Sequence, residues 1–214
     1  METPAALHAN LLHWITLAGV ALYALTGVLD AGRKGMDLVG ACAVGLATAA
    51  GGGTLRDVLL DRQVFWIGDQ SYMLVALGTS VASFFLCRLR TLPARLFLVP
   101  DALALALFAV SGTQIALAVG APALIAWLMG IVTGVAGGVI RDILCNDIPL
   151  IFLPGELYAI AAAGGAGTTA AMTAAGFSPA TCAIAGFAAG AALRFAAMAF
   201  RLRGPQWRPP EGQG

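Results

Sequence analysis

The chain has 214 residues, 59% of them hydrophobic and only 11% charged, with a formal net charge of +1 and a mean hydropathy of +0.86. Globular chains carry about 25% charged and roughly 45–50% apolar residues, so this one has too little polar surface to close a water-soluble fold. That excludes a cytosolic enzyme, a secreted disulfide scaffold and, for want of a basic footprint, a nucleic-acid binder; an integral membrane protein is left.

A membrane-crossing helix needs about 20 apolar residues. That length predicts seven spans, near 11–30, 37–60, 71–87, 97–118, 122–145, 156–175 and 179–200. The opening METPAALHANLLHW has no basic n-region or small-residue cleavage site, so the first run is expected to be a retained span. The breaks hold Gly32-Arg33-Lys34-Gly35, Gly68-Asp69-Gln70, the stretch Arg88 to Arg95 with Pro93, Gly120-Ala121-Pro122, Pro149 to Gly155, and Ser178-Pro179. No run alternates as a β-barrel strand does, and the fold class is all-α. Residues 1–204 are expected to form one transmembrane domain, followed by a disordered Pro/Gly-rich tail at 205–214.

With seven spans, Arg33, Lys34, Arg88, Arg90, Arg95, Arg201, Arg203 and Arg208 share one side and only Arg62 faces the other. This asymmetry predicts a cytoplasmic carboxyl terminus and an external amino terminus.

A shift of 85 residues brings two stretches into register without a gap. Tyr23–Gly27 (YALTG) lies over Phe108–Gly112 (FAVSG), Gly45 over Gly130, and Thr48 over Thr133. Gly52–Leu60 (GGTLRDVLL) lies over Gly137–Cys145 (GGVIRDILC). Each copy holds three spans, an odd number, so successive copies must cross the bilayer in opposite senses. The expected architecture is two inverted three-helix repeats, about 11–90 and 96–175, plus a seventh helix at about 179–200. Inverted repeats are a plan of transport proteins, with the site at the repeat interface, which places function where spans 2 and 5 meet.

Gly51, Gly52 and Gly53 in span 2, and Gly134, Gly137 and Gly138 in span 5, each cost a helix about 1 kcal/mol relative to Ala. Two explanations fit. The glycines let helices pack closely, or they break the helices and free carbonyls, which suit a cavity and a dehydrated monovalent cation. Arg56-Asp57 and Arg141-Asp142 follow directly. Ionisable groups inside spans cost roughly 2.5–3.5 kcal/mol on insertion scales and face a partner or a water path. One arrangement is a clasp across the pseudo-axis, Arg56 with Asp142 and Arg141 with Asp57; the other is a conduction or gating role, and a clasp can be a gate. Thr48 and Thr133 are expected to bond back to their own helices, with ligation of a cation as the alternative. Asp30 is placed at the membrane interface and Asp101 in a surface pair with Arg95. His8 and His13 lie near the outer mouth, and Phe65, Trp66, Tyr72 and Trp127 are assigned to the aromatic belt. Cys42, Cys87, Cys145 and Cys182 have no metal or disulfide spacing and read as inert thiols.

Two copies of GGxxRD in spans 2 and 5 of a 3+3+1 chain resemble the bacterial branch of the trimeric intracellular cation (TRIC) channel family, over about residues 11–200. The resemblance implies a homotrimer with a hydrophilic pore in each protomer, lined by kinked second and fifth helices and permeable to potassium. It makes Gly51, Gly52, Gly53, Arg56, Asp57, Gly137, Gly138, Arg141 and Asp142 the functional residues, joined by Thr48 and Thr133. Implied partners are potassium or sodium ions, membrane lipids and further copies of the chain, with no cofactor, no metal and no nucleic acid. The implied setting is the bacterial inner membrane, and no nucleophile–base constellation suggests an enzyme. Animal members carry a Lys-Glu pair before the first Gly-Gly where this chain has Ala50-Gly51, so their phosphoinositide binding and calcium-dependent gating are not carried over. Some bacterial relatives have been proposed to move glycine. The second reading is therefore a secondary transporter in which an arginine takes the substrate carboxylate and freed carbonyls take its ammonium. A third, a scaffold held by glycine packing, gives no reason for two charged pairs in register.

Overall fold

The structure is a computed structural model that describes residues 4–88, 97–153, 157–200 and 202. The expected tail, together with Arg90, Pro93 and Arg95, lies outside them. The chain forms α1 (Pro4–Arg33), α2 (Leu38–Leu59), α3 (Phe65–Gly68), α4 (Ser71–Arg88), α5 (Leu98–Ala118), α6 (Ala123–Leu144), a 3-10 turn (Leu150–Phe152), α7 (Tyr158–Ala174) and α8 (Pro179–Phe200). No strand occurs among the described residues. Helices satisfy every backbone polar group internally, as a bilayer demands. Five are long and apolar enough to cross a membrane, namely α1 over Ala6–Arg33, α2, α5, α6 and α8. The apolar stretch of α4, Ser71–Cys87, and the 17-residue α7 are shorter.

Local chemistry sets the ends. Asp37 accepts the Gly40 N–H at 2.8 Å and caps α2. Gly35 and Gly120, 85 residues apart, turn the chain with φ of 71° and 82°, angles that only glycine adopts without strain. Asp61 and Asn146, also 85 apart, have φ of 50° and 56° after α2 and α6.

Helix α5 is the spine, packed on α1, α6, α7 and α8, and it buries Leu105, Phe108, Val110 and a row of alanines. Helices α2 and α6 run unbroken through their glycine clusters. This corrects the expectation that the glycines open the helices. A Cβ added at Gly52 would strike the Thr133 carbonyl oxygen, and one at Gly137 would lie 2.5 Å from that of Thr48. The glycines let two backbones cross in contact, so each helix keeps its own hydrogen bonds and gains dispersion from the approach. Thr48 and Thr133 sit at this crossing and donate to the carbonyls of Val44 (2.7 Å) and Met129 (2.5 Å), as expected.

The crossing makes a contrast that thermal melting in detergent can read. Gly137→Val presses on backbone that cannot move aside and should cost at least the about 1–3 kcal/mol typical of overpacking. Gly51→Val meets only the far end of the Ile140 side chain and should cost less. Equal melting temperatures for the two variants would contradict the packing account.

Candidate functional site: two buried arginine clusters

Each arginine pairs with the aspartate beside it, not across the pseudo-axis. Arg56 Nε and Nη2 donate to Asp57 Oδ1 and Oδ2 at 2.8 and 2.9 Å. Arg141 Nε and Nη2 both donate to Asp142 Oδ1, at 2.9 and 2.8 Å. Neighbours on a helix diverge by about 100°, but the long arginine stem folds back along the helix and removes that angle as an obstacle. The aspartates are anchored alike: Asp57 Oδ2 accepts the Phe65 N–H at 2.9 Å and Asp142 Oδ2 the Leu150 N–H at 2.8 Å. The anchoring residues are again 85 apart, one opening α3 and the other the 3-10 turn.

The clusters lie far apart. His13 of α1 meets Asp69 at 3.3 Å and Tyr72 at 3.1 Å, and Tyr72 packs on Phe65, over which Arg56 sits. Asp30, seventeen residues further along α1, meets Arg141 at 2.9 Å. At 1.5 Å per residue that is about 25 Å along one helix. Of the expected site residues, Thr48, Gly51, Gly52, Thr133 and Gly137 gather where α2 meets α6.

The surroundings also differ. Arg141 is fully buried and holds Asp101 at 2.6 Å through Nη1, besides Asp142 and Asp30. Asp101 is itself 0% exposed, which corrects its assignment to a surface pair, and Arg95 lies outside the described residues. Asp30 is 8% exposed and bonds Arg33 at 3.0 Å, so it too is more buried than an interfacial residue. Tyr158 donates to Asp101 at 3.3 Å and its hydroxyl meets that of Tyr23 at 3.4 Å. Tyr23 in turn donates to the Gly134 carbonyl in mid-α6. A chain of polar groups thus runs from Arg141 to the bundle centre, where Tyr23 stacks on Phe108 at 5.2 Å. At the positions 85 residues away from Asp101, Tyr158 and Tyr23 stand Thr16, Met73 and Phe108. The Arg56 half has no such chain, and Arg56 Nη1 finds no partner among the described residues.

Beside Arg141 opens a cavity of about 360 Å³, lined by Asp30, Arg33, Phe97, Asp142, Asp147 and Leu150 among others. The Phe97 ring lies 4.3 Å from the Arg33 guanidinium and 5.4 Å from that of Arg141. On its rim Lys34 donates to Asp147 at 2.7 Å, a bond that raises the Lys34 pKa above its ordinary value. Among the described residues bonded to one another here, carboxylates Asp30, Asp101 and Asp142 outnumber guanidiniums Arg33 and Arg141 by one.

Comparison with known proteins agrees with this geometry. A family model described as Glycine transporter matches residues 13–88 and 98–174. The UPF0126 inner membrane protein YadS of Escherichia coli (strain K12) is 44% identical over 153 residues, 71% of this chain and 73% of that protein. A UPF0126 membrane protein of Vibrio cholerae is 39% identical over 211 residues, 96% of this chain and 86% of that one. The TRIC trimeric intracellular cation channel orthologue from Rhodobacter sphaeroides superposes with a TM-score of 0.86 at 38% identity, over 90% of this chain and all of that one. The chain belongs to the bacterial TRIC channel family. A second TRIC cation channel structure, 31% identical, superposes with a TM-score of 0.84 over 94% of this chain. The chain is therefore a multi-pass bacterial membrane protein whose relatives are channels and membrane proteins, not enzymes.

Sequence reasoning passed over Tyr23, Tyr158, Phe97 and Arg194. Arg194 is fully buried in α8, its guanidinium 5.0 Å from the Tyr158 ring; a cation in an otherwise uncharged apolar span is the signal. Tyr23 opens one of the matched stretches, and its replacement by Phe108 in the second copy marks a hydroxyl that breaks the match. Tyr72 was assigned to the aromatic belt but is 8% exposed and belongs to a core cluster. Trp66 reaches inward too, donating to Thr54 at 2.9 Å.

Proposed function

We propose that the protein is a homotrimeric, potassium-permeable cation channel of the bacterial inner membrane. Each protomer has its own path along α2 and α6, and the described conformation is closed. In this reading α4 and α7 complete seven spans, α1–α4 and α5–α7 are the two inverted repeats with α8 left over, and the amino terminus is external. Gly51, Gly52 and Gly137 let α2 and α6 slide or separate at their crossing, which Thr48 and Thr133 flank, while Gly53 and Gly138 give room to Phe65 and Tyr158 beside the path. Arg56–Asp57 and Arg141–Asp142 close the two ends. The observation that carries the reading is the surplus of carboxylates around Arg141: a buried, formally negative mouth concentrates cations and rejects anions.

The same geometry argues against the glycine transporter. Binding a carboxylate takes a free guanidinium fork, and every nitrogen of Arg141 is already engaged by Asp142, Asp101 or Asp30. Arg56 offers one nitrogen, Nη1. The test is flux into liposomes holding purified protein, with a potassium gradient in one arm and labelled glycine in the other. Potassium movement without glycine uptake is expected; saturable glycine uptake with little potassium leak would overturn the channel.

A further inference from the structure

Away from the arginine clusters, two cavities share His8 and Pro179 where α1 and α8 begin. The larger, about 530 Å³, is lined by Leu7, Leu11, Trp14 and Ala180 with few polar neighbours. The smaller, about 190 Å³, reaches inward to Gln114 of α5. Their volumes bracket the lower part of the about 300–1,000 Å³ range of small-ligand sites. Trp14, 63% exposed, is a residue type that settles at the headgroup level of a bilayer.

Gln114 is 4% exposed, and its Nε2 donates to the Pro179 carbonyl at 2.8 Å. That carbonyl can only accept, so the bond fixes the amide orientation and leaves Oε1 as a buried acceptor to which no described residue donates. His8 Nε2, also buried, receives nothing from the described residues either, and with its proton on Nδ1 it is a second acceptor. A buried acceptor left unmet is costly. Among the described residues, no lining residue of either cavity is an aspartate, glutamate, lysine or arginine. The complementary ligand therefore donates hydrogen bonds, balances its own charge, and carries an apolar tail.

We propose that this groove binds a phospholipid with a primary-amine headgroup, phosphatidylethanolamine. The ammonium donates to Gln114 Oε1 and His8 Nε2, the lipid's own phosphate balances its charge, and one acyl chain lies along Leu7, Leu11 and Trp14. The inference is independent of what the channel conducts.

The test uses the full-length protein in detergent, incubated with equal amounts of phosphatidylethanolamine and phosphatidylcholine and read by native mass spectrometry. Choline has no N–H, so the pair isolates the hydrogen bond. Wild type should retain the ethanolamine lipid over the choline lipid by about fivefold for each of the two hydrogen bonds. Gln114→Leu and His8→Phe, the latter at a partly exposed residue, should each reduce the preference about fivefold, and the two together should remove it. Equal retention of both lipids by wild type overturns the proposal and leaves water as the partner of Gln114. So does a preference that survives undiminished in His8→Phe and Gln114→Leu alike, and so does phosphatidylglycerol matching phosphatidylethanolamine.

Discussion

Replacing Arg141 with methionine should destabilise the fold by about 3–5 kcal/mol, the cost of removing one partner from a buried ion pair. Three carboxylates, Asp30, Asp101 and Asp142, converge on this guanidinium. Without it, buried Asp101 keeps, among the described residues, only the Tyr158 hydroxyl at 3.3 Å. Adding Asp101→Asn to the methionine variant should recover part of the loss, since the orphaned charge goes with it. A double-mutant cycle on chemical unfolding in detergent measures this, and additive losses at Arg141 and Asp101 would contradict the coupling. Arg56→Met should cost less. Asp57 would still hold the Phe65 N–H and lie 3.7 Å from Arg62, so its charge is not abandoned.

Neutralising the mouth should have the largest effect on conduction. Asp30→Asn together with Asp101→Asn leaves Asp142 alone against Arg33 and Arg141, which turns a formal surplus of one negative charge into one positive. Focusing of a permeant ion by such a field changes its local concentration by roughly 10-fold or more. Potassium flux in liposomes should fall by about that factor, and the reversal potential in a potassium chloride gradient should move toward the chloride value. Asp61→Asn is the control, because it removes an exposed carboxylate at the other end of the bundle and asparagine tolerates the left-handed φ of 50° found there. If the double variant kept wild-type selectivity while Asp61→Asn altered it, the mouth would lie at the Arg56 end instead. Surface charges are screened within about 10 Å at 0.1 M salt, so the effect should persist at moderate ionic strength only if these buried carboxylates supply the field.

Membrane residence, helical class and the paired motifs were legible because they depend on composition and on matches at fixed spacing. Apolar length alone located the helices, and Arg and Asp are rare enough here that two Gly-Gly-x-x-Arg-Asp stretches at a fixed offset stood out. What the glycines do was not legible. The same composition serves a broken helix and a close crossing, and the choice depends on whether a second backbone stands opposite. For Gly52 and Gly137 that backbone belongs to Thr133 and Thr48, more than 80 positions away in the chain.

Partnership of the charges was equally hidden. Asp30 and Asp101 each end or begin a span, where sequence favours an interfacial place, yet both reach Arg141 because α1 and α5 pack together and α6 packs on α5. Tyr23 and Tyr158 are ordinary aromatics in the sequence; they become polar links only when burial leaves their hydroxyls no partner but each other, Gly134 and Asp101. The sequence by itself determined that the chain is a helical membrane protein built on two matched motifs, since hydropathy and local spacing carry that information. The tertiary structure alone decided that one motif gathers three carboxylates while the other holds one, because side chains distant in sequence meet only when the helices that carry them pack.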